Sequence, residues 1–296
     1  MAVSPTLPTS SALGGLETLL EETMVQSGSA VFTDPGDYQA GIGIGGANGS
    51  LVLNSQEAFK GRLTWLKQRD LYLLIARESV PCIACFSLVP TRTFISFPAS
   101  SNTALVWGGV ALQFGDVVLH SPGERAHQWT RGASTWGLAS LPSAQFAAYS
   151  KVLMGFELTA PPVSRVLRPL PRAISRLRRL HAGACRLAET KPEIHAHTEV
   201  VRAIEQEYVH ALINCLTAKD AYGNLVIKAR QEDIVLQFED ALRDHANQAP
   251  SVRNVCDALG LTNQDLTLSC ADVLGVSPSR YIRLRRNVTR AATALC

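Results

Sequence analysis

Nowhere does the chain hold an uninterrupted apolar run near the roughly 18–20 residues that a membrane-crossing helix needs, so no transmembrane helix is expected. Between Met1 and Gly28 no basic cluster precedes an apolar block. Glu17, Glu21 and Glu22 stand there instead, which does not suit a secretory leader and places the chain in the cytoplasm. Charge is sparse, 18% of residues against 46% hydrophobic, and that balance excludes a disordered polyelectrolyte and fits a globular protein. The seven cysteines, at 82, 85, 185, 215, 256, 270 and 296, are odd in number and share no repeated spacing. A disulfide framework is therefore not expected, and reduced, buried thiols are. Cys82-Ile83-Ala84-Cys85 lacks the second pair of a zinc ribbon and lies in a strand-like stretch, not at a strand-to-helix turn where a redox pair would sit.

Catalytic signatures are equally scarce. No P-loop, nucleophile elbow or paired-carboxylate constellation stands in a supporting context. Gly41-Ile42-Gly43-Ile44-Gly45-Gly46 has the bare dinucleotide spacing, but Ala47-Asn48-Gly49-Ser50 follows it. That is a turn signal where a helix should open under the pyrophosphate, so a glycine-rich strand or loop is expected. The segment from Gly115 to His127 offers His120, Glu124 and His127 as possible metal ligands and resembles the second motif of the cupins. The other half of such a site would be a His-x-His on an earlier strand, and no histidine precedes His120. Neither an enzyme nor a bound metal or cofactor is expected, and a cupin-like metalloenzyme is the remote alternative.

What the chain does have divides it in two. Residues 30–150 hold short stretches rich in Val, Ile, Leu, Phe and Trp at 61–66, 71–76, 83–89, 93–97, 104–107 and 117–120. Turn signals stand around them, such as Asp34-Pro35-Gly36 and Ser121-Pro122-Gly123. Many short strands at this spacing predict a sandwich or barrel, which can enclose a small ligand. Trp65, Phe86, Phe97, Trp107, Trp129 and Trp136 are available for its core or a pocket. Pro161-Pro162 and Pro169–Pro171 mark a hinge. Beyond it, Ile174, Leu177, Leu180 and Leu187 share one helical face, and Val201, Ile204, Tyr208, Leu212 and Leu216 share another. These stripes are candidates for a homodimer seam. A further helix is expected from about 232 to 246. Seven arginines lie between 165 and 186, and six more from 253 to 290, a distribution suited to phosphate contact.

The last segment is the most specific. Ser251 caps a helix over 252–259, Gly260 ends it, Thr262 caps a second over 263–274, and Gly275 ends that one. Ser277-Pro278 then opens a basic helix containing Arg280, Arg283, Arg285 and Arg286. Two short helices across a tight turn make the helix-turn-helix plan. The run from Ser251 to Thr262, with Ala258-Leu259-Gly260, then Leu274-Gly275-Val276-Ser277-Pro278 and Tyr281-Ile282-Arg283-Leu284-Arg285, resembles the first helix-turn-helix and linker helix of the bacterial AraC/XylS family of transcriptional regulators.

That resemblance implies an α+β chain with a cupin-like sensing domain ahead of a DNA-binding domain. The expected divisions are 1–29, a flexible or helical segment; 30–160, the β-rich sensing domain; 161–222, a helical linker and dimerisation region; and 223–296, the helix-turn-helix domain. It implies promoter DNA as partner, a small-molecule effector, and Arg253, Thr262, Asn263, Gln264, Thr267, Leu268, Arg280, Arg283, Arg285 and Arg286 as the DNA-contacting residues. Two departures stand out. The family's domain joins two helix-turn-helix units, and this chain carries the first unit and linker helix only. No Lys or Arg lies between Thr262 and Gly275, and Asp265 is unfavourable towards phosphates, so weak DNA affinity is expected. A regulator remnant with little DNA binding is the alternative.

Overall fold

The structure, a computed structural model, describes residues 25–191, 193, 197–217, 225–226, 229–244 and 250–294. Most of the 1–29 segment, for which flexibility or helix was expected, lies outside the described residues; from Val25 the chain is already in a strand. The elements in chain order are β1 (Val25–Phe32), α1 (Pro35–Gly43), β2 (Ala47–Leu53), β3 (Gly61–Gln68), β4 (Leu71–Glu78), β5 (Cys82–Leu88) and β6 (Arg92–Pro98). Next come β7 (Leu105–Trp107), β8 (Val110–Leu112), β9 (Val117–Leu119), β10 (Arg125–Thr130), β11 (Ser134–Pro142), α2 (Ser143–Met154) and β12 (Arg165–Leu167). The last are α3 (Pro171–Thr190), α4 (Thr198–Thr217), β13 (Leu225–Val226), α5 (Ala229–Asp244), α6 (Val252–Leu259), α7 (Asn263–Leu274) and α8 (Pro278–Ala294). The class is α+β: antiparallel sheets first, helices after.

The strands form two sheets, a larger one ordered β1-β3-β4-β11-β6-β9-β12-β13 and a smaller one ordered β2-β5-β10-β7-β8. Alternation along each strand decides the layers. In β4, Tyr72, Leu74 and Ala76 point between the sheets, while Leu71, Leu73 and Ile75 point outward beneath α3 and α4. Both faces are covered, which is why β4 reads as an unbroken apolar run. In β5, Ala84 and Phe86 point inward and Ile83 outward, into a third cluster built on α5, α6, α7 and α8. The order through the molecule is thus α3 and α4, large sheet, inner core, small sheet, then the C-terminal helices. Of the available aromatics, Phe86, Trp107 and Trp136 lie in the inner core, Phe97 lies under α3, and Trp129 meets the C-terminal helices.

Three local features depart from the sequence pattern. Asp34-Pro35-Gly36 opens a helix: Asp34 accepts the Asp37 N–H at 2.9 Å and Pro35 occupies the first turn, a capped start. The glycines from 41 to 46 are the end of that helix and the turn after it, not a strand. Between the two proline stretches the expected hinge contains β12, which pairs with β9 and stitches the connection into the large sheet. The stripes of α3 and α4 face inward as well: Ile174, Leu177, Tyr208 and Leu212 are buried within the chain under the large sheet, which removes the ground for reading them as a dimer seam.

Candidate nucleic-acid interface

The helix-turn-helix is fixed by its caps. Ser251 Oγ accepts the Asn254 N–H at 3.1 Å at the start of α6, and Gly260 takes a left-handed φ of 65° at its end. Thr262 Oγ1 accepts the Asp265 N–H at 3.0 Å and donates to the Asp265 carboxylate at 2.7 Å. Asp265 is thereby held at the positive end of α7, where a carboxylate is stabilising.

α7 has two sides. Leu266, Ser269, Cys270, Val273 and Leu274 are buried. Asn263, Gln264, Thr267, Leu268 and Ala271 are exposed, at spacings of one, three and four that define a single face. Leu268 is 57% exposed, unusual for a large apolar side chain in a packed helix. The fold therefore gathers Asn263, Gln264, Thr267 and Leu268 on one surface, with exposed Thr262 at its N-terminal edge.

The five candidate arginines separate. Arg253 is exposed on α6, 4.0 Å from Asp257, and Arg283 and Arg286 are exposed on α8. Arg280 reaches back to β2, where its Nε and Nη2 both donate to Asn54 Oδ1 at 3.0 and 2.8 Å. Arg285 donates to the Glu239 carboxylate and is half-buried. Arg280 and Arg285 thus bind the helical part to the rest of the chain, although Arg280, like Arg253, Arg283 and Arg286, is exposed to solvent.

Behind the exposed face, the C-terminal helices sit on the small sheet through a polar seat. The His127 backbone N–H and ring Nδ1 both meet Glu232 Oε1, at 2.8 and 2.5 Å. His127 Nε2 lies 3.7 Å from Glu239 Oε1, and Glu239 also accepts from the Tyr281 hydroxyl and Arg285. Trp129 Nε1 donates to the Asp272 carbonyl at 3.3 Å, and Arg125 pairs with Asp240 through two hydrogen bonds, at 3.1 and 2.8 Å. Burial alone would depress the pKa of His127, but Cys85, Glu232 and Glu239 around it hold it well above the ordinary histidine value. Burial likewise pushes Glu239 up, and His127, Arg285 and Tyr281 together hold it below the usual carboxylate value. The seat is a buried ion cluster.

Sequence reasoning placed His127 with His120 and Glu124 as possible ligands. Strand alternation separates them. His120 points inward, its Nε2 bonded to the Ser96 hydroxyl and its Nδ1 to Glu124, both at 2.9 Å, against the Trp107 ring. His127 points outward to α5. Among the described residues no group of three His, Cys, Asp or Glu is placed to hold a metal ion. The seat itself went unread because its partners lie about a hundred residues apart. Its one local signal is that Glu232 and Glu239, seven apart, stand on the same helical face as Val235, Phe238 and Leu242.

No family model matches the chain, and no curated protein matches it. Among solved structures, the AraC-like transcriptional activator CuxR is similar over 90% of this chain and 95% of its own, at 15% identity and a TM-score of 0.44. ToxT from Vibrio cholerae O395 is similar over 77% of this chain and 83% of its own, at 10% identity and 0.32. An RmlC-like cupin from Shewanella frigidimarina is similar over 31% of this chain and 82% of its own, at 11% identity and 0.24.

Proposed function

We propose that this chain is a cytoplasmic DNA-binding transcriptional regulator of AraC type. α7 reads base edges in a major groove, and the β-sandwich docked on its back takes a small-molecule effector. The observation that carries this reading is the two-sidedness of α7: one face packed into the chain, the other presenting Asn263, Gln264, Thr267 and Leu268 together. Asn and Gln pair bidentately with adenine, and Thr and Leu suit the thymine methyl group. Arg253, Arg283 and Arg286 supply phosphate contacts, and a homodimer presents two such helices about one DNA turn apart.

Fluorescence anisotropy of labelled duplexes across a salt series tests it. Promoter DNA from the protein's own locus is expected to bind more tightly than random duplex. The logarithm of affinity should fall against the logarithm of salt with a slope near −3, about −0.9 for each phosphate neutralised. No preference over random duplex at low salt overturns the reading. A second reading has its own observation: α7 carries no Lys or Arg, and Arg280 and Arg285 are engaged internally. Under it the chain binds little DNA and acts as a sensing or mixed-dimer partner, and sedimentation of the chain with full-length relatives would show the mixed species.

A further inference from the structure

We infer that one end of the sandwich, where β3 begins, β4 ends and β11 begins, is a binding site for a small polyanion, a metabolite bearing at least two carboxylate or phosphate oxygens. Arg62 of β3 and Arg77 of β4 are direct partners in the antiparallel register. Cross-strand partners project from the same face, so two guanidinium groups stand side by side on the outer surface of the large sheet. Like charges in that relation destabilise a sheet. Lys60 adds a third cation beside them, and all three side chains are exposed. Glu189, at the end of α3, compensates one of them: it pairs with Arg62 at 2.5 Å. Arg77 has no carboxylate partner among the described residues, so the cluster keeps an excess of positive charge.

The cations do not stand on a flat surface. They border an open cavity of about 390 Å³, whose remaining wall includes Ser79 and Asn102. That volume is within the range of small-metabolite sites, and hydroxyl and amide groups beside paired guanidinium groups are the donor set that carboxylate and phosphate oxygens require. Glu78 also borders the cavity, but its carboxylate is engaged from inside the sandwich by Tyr38 at 2.9 Å, Trp136 at 2.8 Å and Ser134. It is not a partner for the arginines. An incoming anion takes Arg77 outright and shares Arg62 with Glu189. The site stands apart from the exposed face of α7 and does not rest on the regulator reading.

Isothermal titration of the full chain with citrate and with inorganic pyrophosphate, at low salt, tests the site. At least one of the two is expected to bind saturably at one per chain. Arg77→Gln and Arg62→Gln each weaken that binding by about tenfold or more, a loss of about 1.4 kcal/mol, while Arg253→Gln leaves it unchanged. Both arginines are exposed, so the variants should fold, and matching circular dichroism and thermal midpoints would establish that they do. Two results overturn the inference: neither probe binds saturably at millimolar concentration, or a probe binds and the Arg62→Gln/Arg77→Gln double variant binds it equally well. Neither result touches DNA recognition by α7, which the anisotropy series reads separately.

Discussion

His127 of β10 and Glu232 of α5 share one carboxylate oxygen twice over, through the histidine's ring nitrogen and its own backbone N–H. The ring is fully buried and the glutamate side chain 3% exposed. A pair sunk this deep gains little net stability over an apolar substitute, because both charges have left water. What it supplies is register: the C-terminal helices fit the small sheet in the one position where a cation meets Glu232 and Glu239 together.

His127→Ala should therefore cost about 3–5 kcal/mol, since it leaves Glu232 buried without its cation and Glu239 with Arg285 alone. Urea unfolding followed by tryptophan fluorescence would register the loss, Trp129 being at the seat. The double variant His127→Leu/Glu232→Leu should recover much of it. A single-variant loss of a few tenths, as at an exposed ion pair, would mean that the helices are not held through this cluster.

The same cluster sets a pH dependence. In the unfolded chain His127 titrates near 6.5, at roughly the reference value. Its folded value is raised, so its contribution is complete below about 6.5 and is lost as pH rises towards the folded pKa. Glu239 is shifted down, so its contribution is present above roughly 4.3 and is lost only as acid reaches its depressed value. The seat is expected to be tightest between these limits and to loosen at alkaline pH. Denaturation midpoints measured from neutral to alkaline pH should fall in the native chain and stay flatter in His127→Gln.

On the other side of the molecule a second histidine has the opposite sign. His181 of α3 donates from Nε2 to the Leu74 carbonyl at 3.0 Å and accepts the Tyr208 hydroxyl at Nδ1, 2.9 Å away. Burial lowers its pKa to about 4, against a smaller upward pull from Leu74. Its contribution is full above about 6.5 and is lost as pH falls towards 4, on the order of 3 kcal/mol. His181→Leu should abolish this acid slope while lowering stability at neutral pH. An unchanged slope between pH 7 and 4.5 would place the titrating group elsewhere.

The parts legible in the sequence are those decided by neighbours in the chain. Short apolar stretches between turn residues marked β3 to β6, and Ser251, Gly260, Thr262 and Gly275 bounded α6 and α7, because a cap bonds to a backbone three residues away. Long-range pairing was invisible. β12 is three residues between prolines and becomes a strand only because Val166 finds Val118. Arg280 and Arg285 read as phosphate contacts on a basic helix, and the residues they meet within the chain, Asn54 and Glu239, lie 226 and 46 residues back along it. Arg62 and Arg77 attract no notice apart, and only their register makes them a pair.

Gly275 offers the most discriminating test of how α7 is seated. It ends the helix with φ 69°, a conformation that costs an L-residue about 1–2 kcal/mol. A Cβ there would also fall 2.7 Å from ring carbons of Trp129. Gly260 ends α6 with nearly the same backbone, φ 65°, but a Cβ there would meet nothing within 4 Å. Gly260→Ala therefore measures the backbone term alone, and Gly275→Ala measures that term plus displacement of Trp129 from the seat. The second variant should lose about 1–3 kcal/mol more than the first, on the scale of an overpacked core, with a change in tryptophan emission that Gly260→Ala lacks. Combining Gly275→Ala with Trp129→Ala should bring the extra loss close to zero, since the ring that opposes the methyl group is gone. Equal losses at the two glycines, with unchanged emission, would mean that Trp129 yields freely and does not position α7.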